Sequence, residues 1–231
     1  MTITEQTTVA DIASAVPSSV RVFQRHGIDF CCGGKAPLRS ACRAHGVSVA
    51  EILSAIEASA AERHDERDWT REPLDALIDH IVSTYHDALR EELPRLEAMA
   101  AKVADVHGAR APVLRRLAAA VTALSAELRA HMDAEERVLF PAVRAAGRGS
   151  HRPGSPLSVP ISALEDEHDR AGRLLLELRT STDGYVPPAW ACATFRALYQ
   201  GLSELESSMH VHVHLENNVL FPRAMRLAGE A

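Results

Sequence analysis

Aromatic residues are scarce in this 231-residue chain, at 4%, and alanine, leucine, glutamate and arginine fill the places they leave. That balance favours helix. Cysteine is equally sparse. Cys31, Cys32, Cys42 and Cys192 are too few and too unevenly spaced for a disulfide framework, and point to the reduced thiols of a cytoplasmic protein. No apolar run reaches the roughly 20 residues that cross a bilayer, so no membrane association is expected. The opening MTITEQTTVADIAS lacks the basic and apolar regions of a signal peptide. Positive charge is in deficit, with 25 Lys and Arg against 31 Asp and Glu, which argues against nucleic acid as a partner.

What remains is a chain of ordinary globular composition, 46% hydrophobic and 24% charged, long enough for a large domain and a small one. Residues 1–60 contain short helical pieces cut by breakers. VADIASAV stops at Pro17, SSVRVFQRH at Gly27, and APLRSACRAH at Gly46, while Ser48 and Glu51 form a capping box that opens VAEILSAIEAS. The polar stretch 61–72 is expected to be a linker. Residues 73–228 then read as four long amphipathic helices at about 73–105, 112–145, 160–181 and 187–226. The fold class expected is all-α: an antiparallel four-helix bundle preceded by a small helical domain.

Each long stripe of apolar residues is interrupted by polar ones. In the second helix Leu114, Leu117, Val121, Leu124, Leu128, His131, Glu135 and Val138 fall in one line. In the fourth, Leu198, Leu202, Leu205, Met209, His212, Glu216 and Val219 do the same. The first helix places His86 among Ile78, Val82, Leu89 and Leu93, and the third places His168 among Ile161, Leu164, Ala171 and Leu175.

These interruptions repeat. HMDAEERVLFP (131–141) and HVHLENNVLFP (212–222) share His-x3-Glu-x2-Val-Leu-Phe-Pro at an offset of 81 residues, and His86-Asp87 recurs as His168-Asp169 at 82. The chain reads as a duplicated helical hairpin. His86 and His131 each lie about twenty residues from the intervening turn, ~30 Å at 1.5 Å per residue, hence level with each other. His107 sits in the turn and is a poor ligand candidate.

Residues four apart share a helix face, so each His-x3-Glu presents an imidazole and a carboxylate inward. Four histidines and two glutamates exceed one tetrahedral zinc and include no thiolate. Two metals bridged by carboxylates fit better, with iron or manganese usual for such mixed ligation. The candidate terminal ligands are His86, His131, His168 and His212, and the candidate bridges Glu135 and Glu216. A lone histidine on an apolar stripe is ordinarily a core residue; a level, duplicated set of six is not. Glu127, one turn before His131, and Glu167, beside His168, are candidates for orienting the ligands or lining an access route. His26, His45, His64, His80 and His151 read as surface or local residues. In HVHVHLENNVLFP, His210 and His214 face away from His212 and read as solvated bystanders.

Taken with IDFCCGGK near the start and the endings VLFPAV and HLENNVLFPRAM, these motifs resemble the iron–sulfur cluster repair di-iron family over nearly the whole chain. The resemblance implies a small N-terminal ScdA-type cysteine domain, then a hemerythrin-like bundle holding two non-heme iron ions, oxo- or hydroxo- and carboxylate-bridged, on the six residues named. It implies damaged iron–sulfur proteins as clients, nitric oxide or dioxygen as small ligand, and an unidentified reductant, in a monomer or homodimer. Iron donation and reduction of nitric oxide to nitrous oxide are both open chemistries. The alternatives are a binding or sensing protein without turnover and a ferroxidase or iron store. The ligand pattern departs from oxygen-carrying hemerythrins, which use five histidines, and from the Glu-x-x-His of ferritin-like proteins.

Cys31 and Cys32 precede two glycines, Lys35 and a helix start. A helix N-terminus and a nearby ammonium favour thiolate, so the pair is expected to be reactive and of low pKa. Cys42 and Cys192 read as structural.

Overall fold

A computed structural model describes residues 3–61, 67–149 and 156–229. Part of the expected linker (62–66), His64 and His151 lie outside the described residues. The elements are α1 (Val9–Ala15), α2 (Ser19–Arg25), α3 (Leu38–Ala44), α4 (Val49–Ala61), α5 (Leu74–Ile81), α6 (Asp87–His107), α7 (Val113–Ala134), α8 (Phe140–Gly147), α9 (Ser158–Ser181), α10 (Ala193–His214) and α11 (Phe221–Ala228). Among the described residues there is no strand, only an isolated bridge between Thr8 and Pro37. The fold is all-α.

The fourth long helix begins at Ala193, six residues later than the sequence predicts. Pro187 and Pro188 remove two amide donors. Just before them Asp183, Gly184 and Tyr185 all take positive φ (52°, 71° and 64°), so the chain turns before it can wind.

Three of the four long helices contain a π-helical turn: Val82–His86 between α5 and α6, Glu135–Leu139 between α7 and α8, and Leu215–Leu220 between α10 and α11. Such wide turns are rare and cluster at functional sites. Two end in the leucine of the repeat's Leu-Phe-Pro, with Phe and Pro next. A proline in a helix lacks the N–H donor and its ring collides with the carbonyl four residues back, a strain that an inserted residue relieves. The insertion shifts the apolar phase by one position. Val138, predicted on the inward stripe, is therefore 58% exposed, and Leu139 beside it is fully buried. Val82 is likewise displaced to a half-buried position while Ile81 is buried.

The chain divides into two compact units. One comprises residues 80–142 and 159–209. Here α6, α7, α9 and α10 bury the predicted stripes: Leu89, Leu93 and Leu96; Leu117, Val121 and Leu124; Leu164, Ala171 and Leu175; Leu198, Leu202 and Leu205. Each fully buried leucine contributes about 1.5–3 kcal/mol. Arg129 pairs with Glu97 across α6 and α7 at 3.4 Å, and Arg179 grips the buried Glu206 of α10 at 2.6 Å.

The other unit holds residues 1–79, 143–158 and 210–231. Its N-terminal helices close on Val9, Ile12, Val22, Phe23, Phe30, Leu38, Cys42, Ile52 and Ile56. Thr8 caps α1 by accepting from the Asp11 amide (3.1 Å), and Ser48 caps α4 by accepting from that of Glu51 (3.0 Å). Helix α1 packs on the turn Leu215–Leu220.

This packing corrects the reading of His210 and His214 as solvated. His214 is 3% exposed, and its Nδ1–H donates to the Phe30 carbonyl at 3.1 Å. The Asn218 amide donates to the Phe30 and Cys31 carbonyls at 3.3 and 3.2 Å, and both imidazoles meet the Phe30 ring edge-on. The N-terminal segment covers the polar side of that helix, and nothing in the local pattern of the helix announces a partner 184 residues away.

Burial lowers the His214 pKa to about 4, against the opposing bond to Phe30. The unfolded chain, with an ordinary value near 6.5, takes up the proton first as pH falls. Stability from this group is therefore present above about pH 6.5 and lost as pH drops toward 4, by ~3 kcal/mol. Guanidinium unfolding of metal-free protein at pH 7 and 4.5 is expected to show that His214→Gln loses about 2 kcal/mol less than wild type over this interval. Equal losses would show that His214 does not titrate as a buried neutral imidazole.

Candidate metal centre

A carboxylate at the start of a π turn, in the middle of a leucine stripe, anchors the site. Glu135 has no exposed surface, and Oε2 is approached by Nε2 of His86 at 3.3 Å and by Nε2 of His131 at 3.4 Å. The His131 Nε2 also lies 2.9 Å from Nε2 of His168. His86, His131 and His168 are 0%, 4% and 2% exposed. The ligand atoms of His131, Glu135 and His168 lie within 4.8 Å of one another. In the other unit, His212 Nε2 stands 2.9 Å from Oε1 of Glu216, at 1% and 0% exposure.

The outward nitrogens explain why the inward ones converge. His86 Nδ1 contacts Glu136 Oε1 at 2.7 Å, and His131 Nδ1 contacts Glu167 Oε2 at 2.8 Å. A carboxylate only accepts at neutral pH, so each Nδ1 carries the proton, leaving the Nε2 lone pairs aimed at the Glu135 oxygen. Lone pairs meeting a carboxylate in a buried site repel unless positive charge lies among them, as extra protons on the imidazoles or as a metal. Buried imidazole and carboxylate together, without thiolate, suit a divalent or trivalent metal of borderline hardness such as iron, and the donor set fits a hemerythrin-type centre. The π turns contribute directly. His86 closes the first, Glu135 opens the second and Glu216 lies in the third.

Glu127 and Glu167 line a cavity of roughly 260 Å³ together with His131, His168 and Arg170. Glu136 was not apparent from the sequence, because an ideal helix points it away from its neighbour Glu135; the π turn swings it to His86. Arg90 Nη2 donates to the same Glu136 oxygen at 2.6 Å. Burial opposes ionisation of Glu136, but the bonds from His86 and Arg90 outweigh it and hold its pKa below the usual carboxylate value. His107 stands apart at the end of α6, its Nε2 3.3 Å from Sγ of the exposed Cys192.

The family model for the hemerythrin HHE cation binding domain matches residues 77–224, and ScdA_N, a domain of unknown function (DUF542), matches residues 5–60. An iron–sulfur cluster repair protein YtfE of Yersinia pseudotuberculosis is 42% identical over 215 residues, covering 93% of this chain and 95% of the relative. One from Pectobacterium atrosepticum is 42% identical over 218 residues, covering 94% and 96%. The chain belongs to the iron–sulfur cluster repair family with a hemerythrin HHE domain.

Cys31, in the family's N-terminal domain, departs from the low pKa expected of it. Helix α3 starts at Leu38, close to the start of APLRSACRAH read from the sequence, with Gly33, Gly34 and Lys35 between it and the cysteines. The backbone amides of Cys31, Cys32 and Gly33 converge on the Asp29 carboxylate at 2.9, 3.1 and 2.8 Å, and the Cys31 thiol adds a contact at 3.3 Å. Cys31 is buried, and its pKa is raised rather than lowered. The hydrogen bond with Cys32 is the largest cause, followed by burial and then by the negative charges of Cys32 and Asp29. Cys42 is buried in the N-terminal core, whereas Cys192 is exposed. Timed alkylation of the native protein with iodoacetamide, read by peptide mass spectrometry, is expected to label Cys192 first and Cys32 next. Cys31 and Cys42 should react at least tenfold more slowly until denaturant is added. Labelling of Cys31 as fast as Cys192 would show that the Asp29 loop does not shield it.

Proposed function

We propose that this protein repairs iron–sulfur clusters damaged by nitrosative or oxidative stress in the cytoplasm, through a di-iron centre held by six side chains. His86, His131, His168 and His212 would be the terminal ligands, with Glu135 and Glu216 as the carboxylate bridges. The observation that carries this reading is the convergence of buried Nε2 lone pairs on Glu135, in a chain 42% identical over its length to iron–sulfur cluster repair proteins. His212 and Glu216 join the set because they repeat His131 and Glu135 in the second hairpin and are as fully buried. The clients would be damaged iron–sulfur proteins.

Such a centre, when bound, supplies exchangeable iron or a pair of electrons for nitric oxide. The chain's own part is to neutralise, orient and exclude. Glu135 and Glu216 balance the metal charge in an interior where unpaired carboxylates would cost several kcal/mol. Glu136 and Glu167 keep the outward protons of His86 and His131 in place. The leucines above and below keep bulk water out, while the cavity walled by Glu127 and Glu167 offers a small diatomic a path to the His131 side.

Reactivation of a [4Fe–4S] hydratase inactivated by nitric oxide tests this reading. Iron-loaded wild type is expected to restore activity, and Glu135→Ala, Glu216→Ala protein to restore less than about a tenth as much at equal concentration. Equal repair by the double variant would remove the centre from the mechanism.

A further inference from the structure

The two imidazoles whose outward contacts are described are not held equally. His131 leans on Glu167, which is 36% exposed, borders the cavity and meets its guanidinium, Arg170, only at 3.6 Å. His86 leans on Glu136 at 2.7 Å, and Glu136 is gripped by Arg90 at 2.6 Å. Arg90 lies one turn after His86 on the same helix and also meets Asp87 at 3.3 Å. Imidazole, carboxylate and guanidinium thus form a closed loop between the turn Val82–His86 with its following helix and the turn Glu135–Leu139. The His86 ring is further clamped by Phe140, stacked at 5.8 Å between centroids and 21° between planes.

We propose that Glu136 and Arg90 are a positioning pair that fixes His86 in its Nδ1–H tautomer, with Nε2 turned to Glu135, before any metal arrives. The pair makes the His86 side the rigid half of the centre and leaves the His131 side, on its looser carboxylate, the adaptable half. The inference rests on the metal-binding reading for its consequence but not for its geometry. The hydrogen bonds belong to the protein alone. Residue 217, which occupies the place of Glu136 in the second copy of the motif, is asparagine, so that copy carries no carboxylate at this position.

Two measurements on the full chain test it. The first is ¹⁵N-histidine NMR of the metal-free protein. His86 is expected to show a protonated Nδ1 and a bare Nε2 in slow exchange. Glu136→Ala should turn this into averaged tautomers, and Glu136→Gln, which still accepts a hydrogen bond, should keep most of the signature. Arg90→Ala is expected to broaden the resonance and Arg90→Lys to recover it. The second is metal release into a chelator from cobalt-loaded protein, with a ~10–100-fold faster rate expected for Glu136→Ala and a smaller increase for Arg90→Ala. Unchanged His86 tautomer signals in Glu136→Ala protein of wild-type helicity would overturn the proposal. If the tautomer changes as expected but wild-type protein retains no cobalt, the positioning pair stands and the metal reading fails.

Discussion

A carboxylate without access to water, set among the lone pairs of imidazoles, is the constraint that organises this protein. Burying an ion costs several kcal/mol unless opposite charge meets it. Glu135 lies on a stripe of leucines, and its polar neighbours within the unit include His86 and His131. The leucine layers are required because water would dissolve the interaction. The outer carboxylates are required because they decide which imidazole nitrogen faces inward. The π turns are required because an ideal helix would not bring Glu135 and Glu136 to work on opposite sides of the same His86 ring. Each device is small alone, and together they shape a buried site of imidazole and carboxylate.

The duplication explains both economy and asymmetry. Each hairpin delivers a lone histidine and a His-x3-Glu, and each motif ends in a proline that belongs with a π turn. Duplicate copies are free to diverge where the constraint is weak. Glu136 of one copy stands where the other has Asn217, and the polar face beside His212 holds the Phe30 and Cys31 carbonyls through His214 and Asn218. The cysteine loop is therefore tied by its backbone to the helical stretch that carries Glu216. Its amides are drawn together by Asp29, and the Cys31 thiol is kept protonated.

Much of this is visible in the sequence, because periodicity and repetition are local properties. The helix spans, the stripes and the His-x3-Glu repeat all follow from spacing. Other features depend on contacts that spacing does not encode. The π turns add one residue to a helix and leave no compositional mark, so Val138 was placed inward when Leu139 takes that position. Glu136 carried no signal of its own because its role exists only after the turn swings it to His86. His214 looked solvated because its cover comes from Phe30, far away in the chain. Cys31 looked activated because Lys35 and a helix start follow it, and because its burial and the contacts with Cys32 and Asp29 exist only in the folded loop.

The central claim is that the buried histidines and glutamates together hold two irons. Iron analysis combined with Mössbauer spectroscopy on anaerobically purified protein tests it most directly. About two antiferromagnetically coupled irons per chain are expected, both lost when His86 or His168 is replaced by alanine. Two tightly bound zinc ions, with no iron taken up during anaerobic loading, would contradict it.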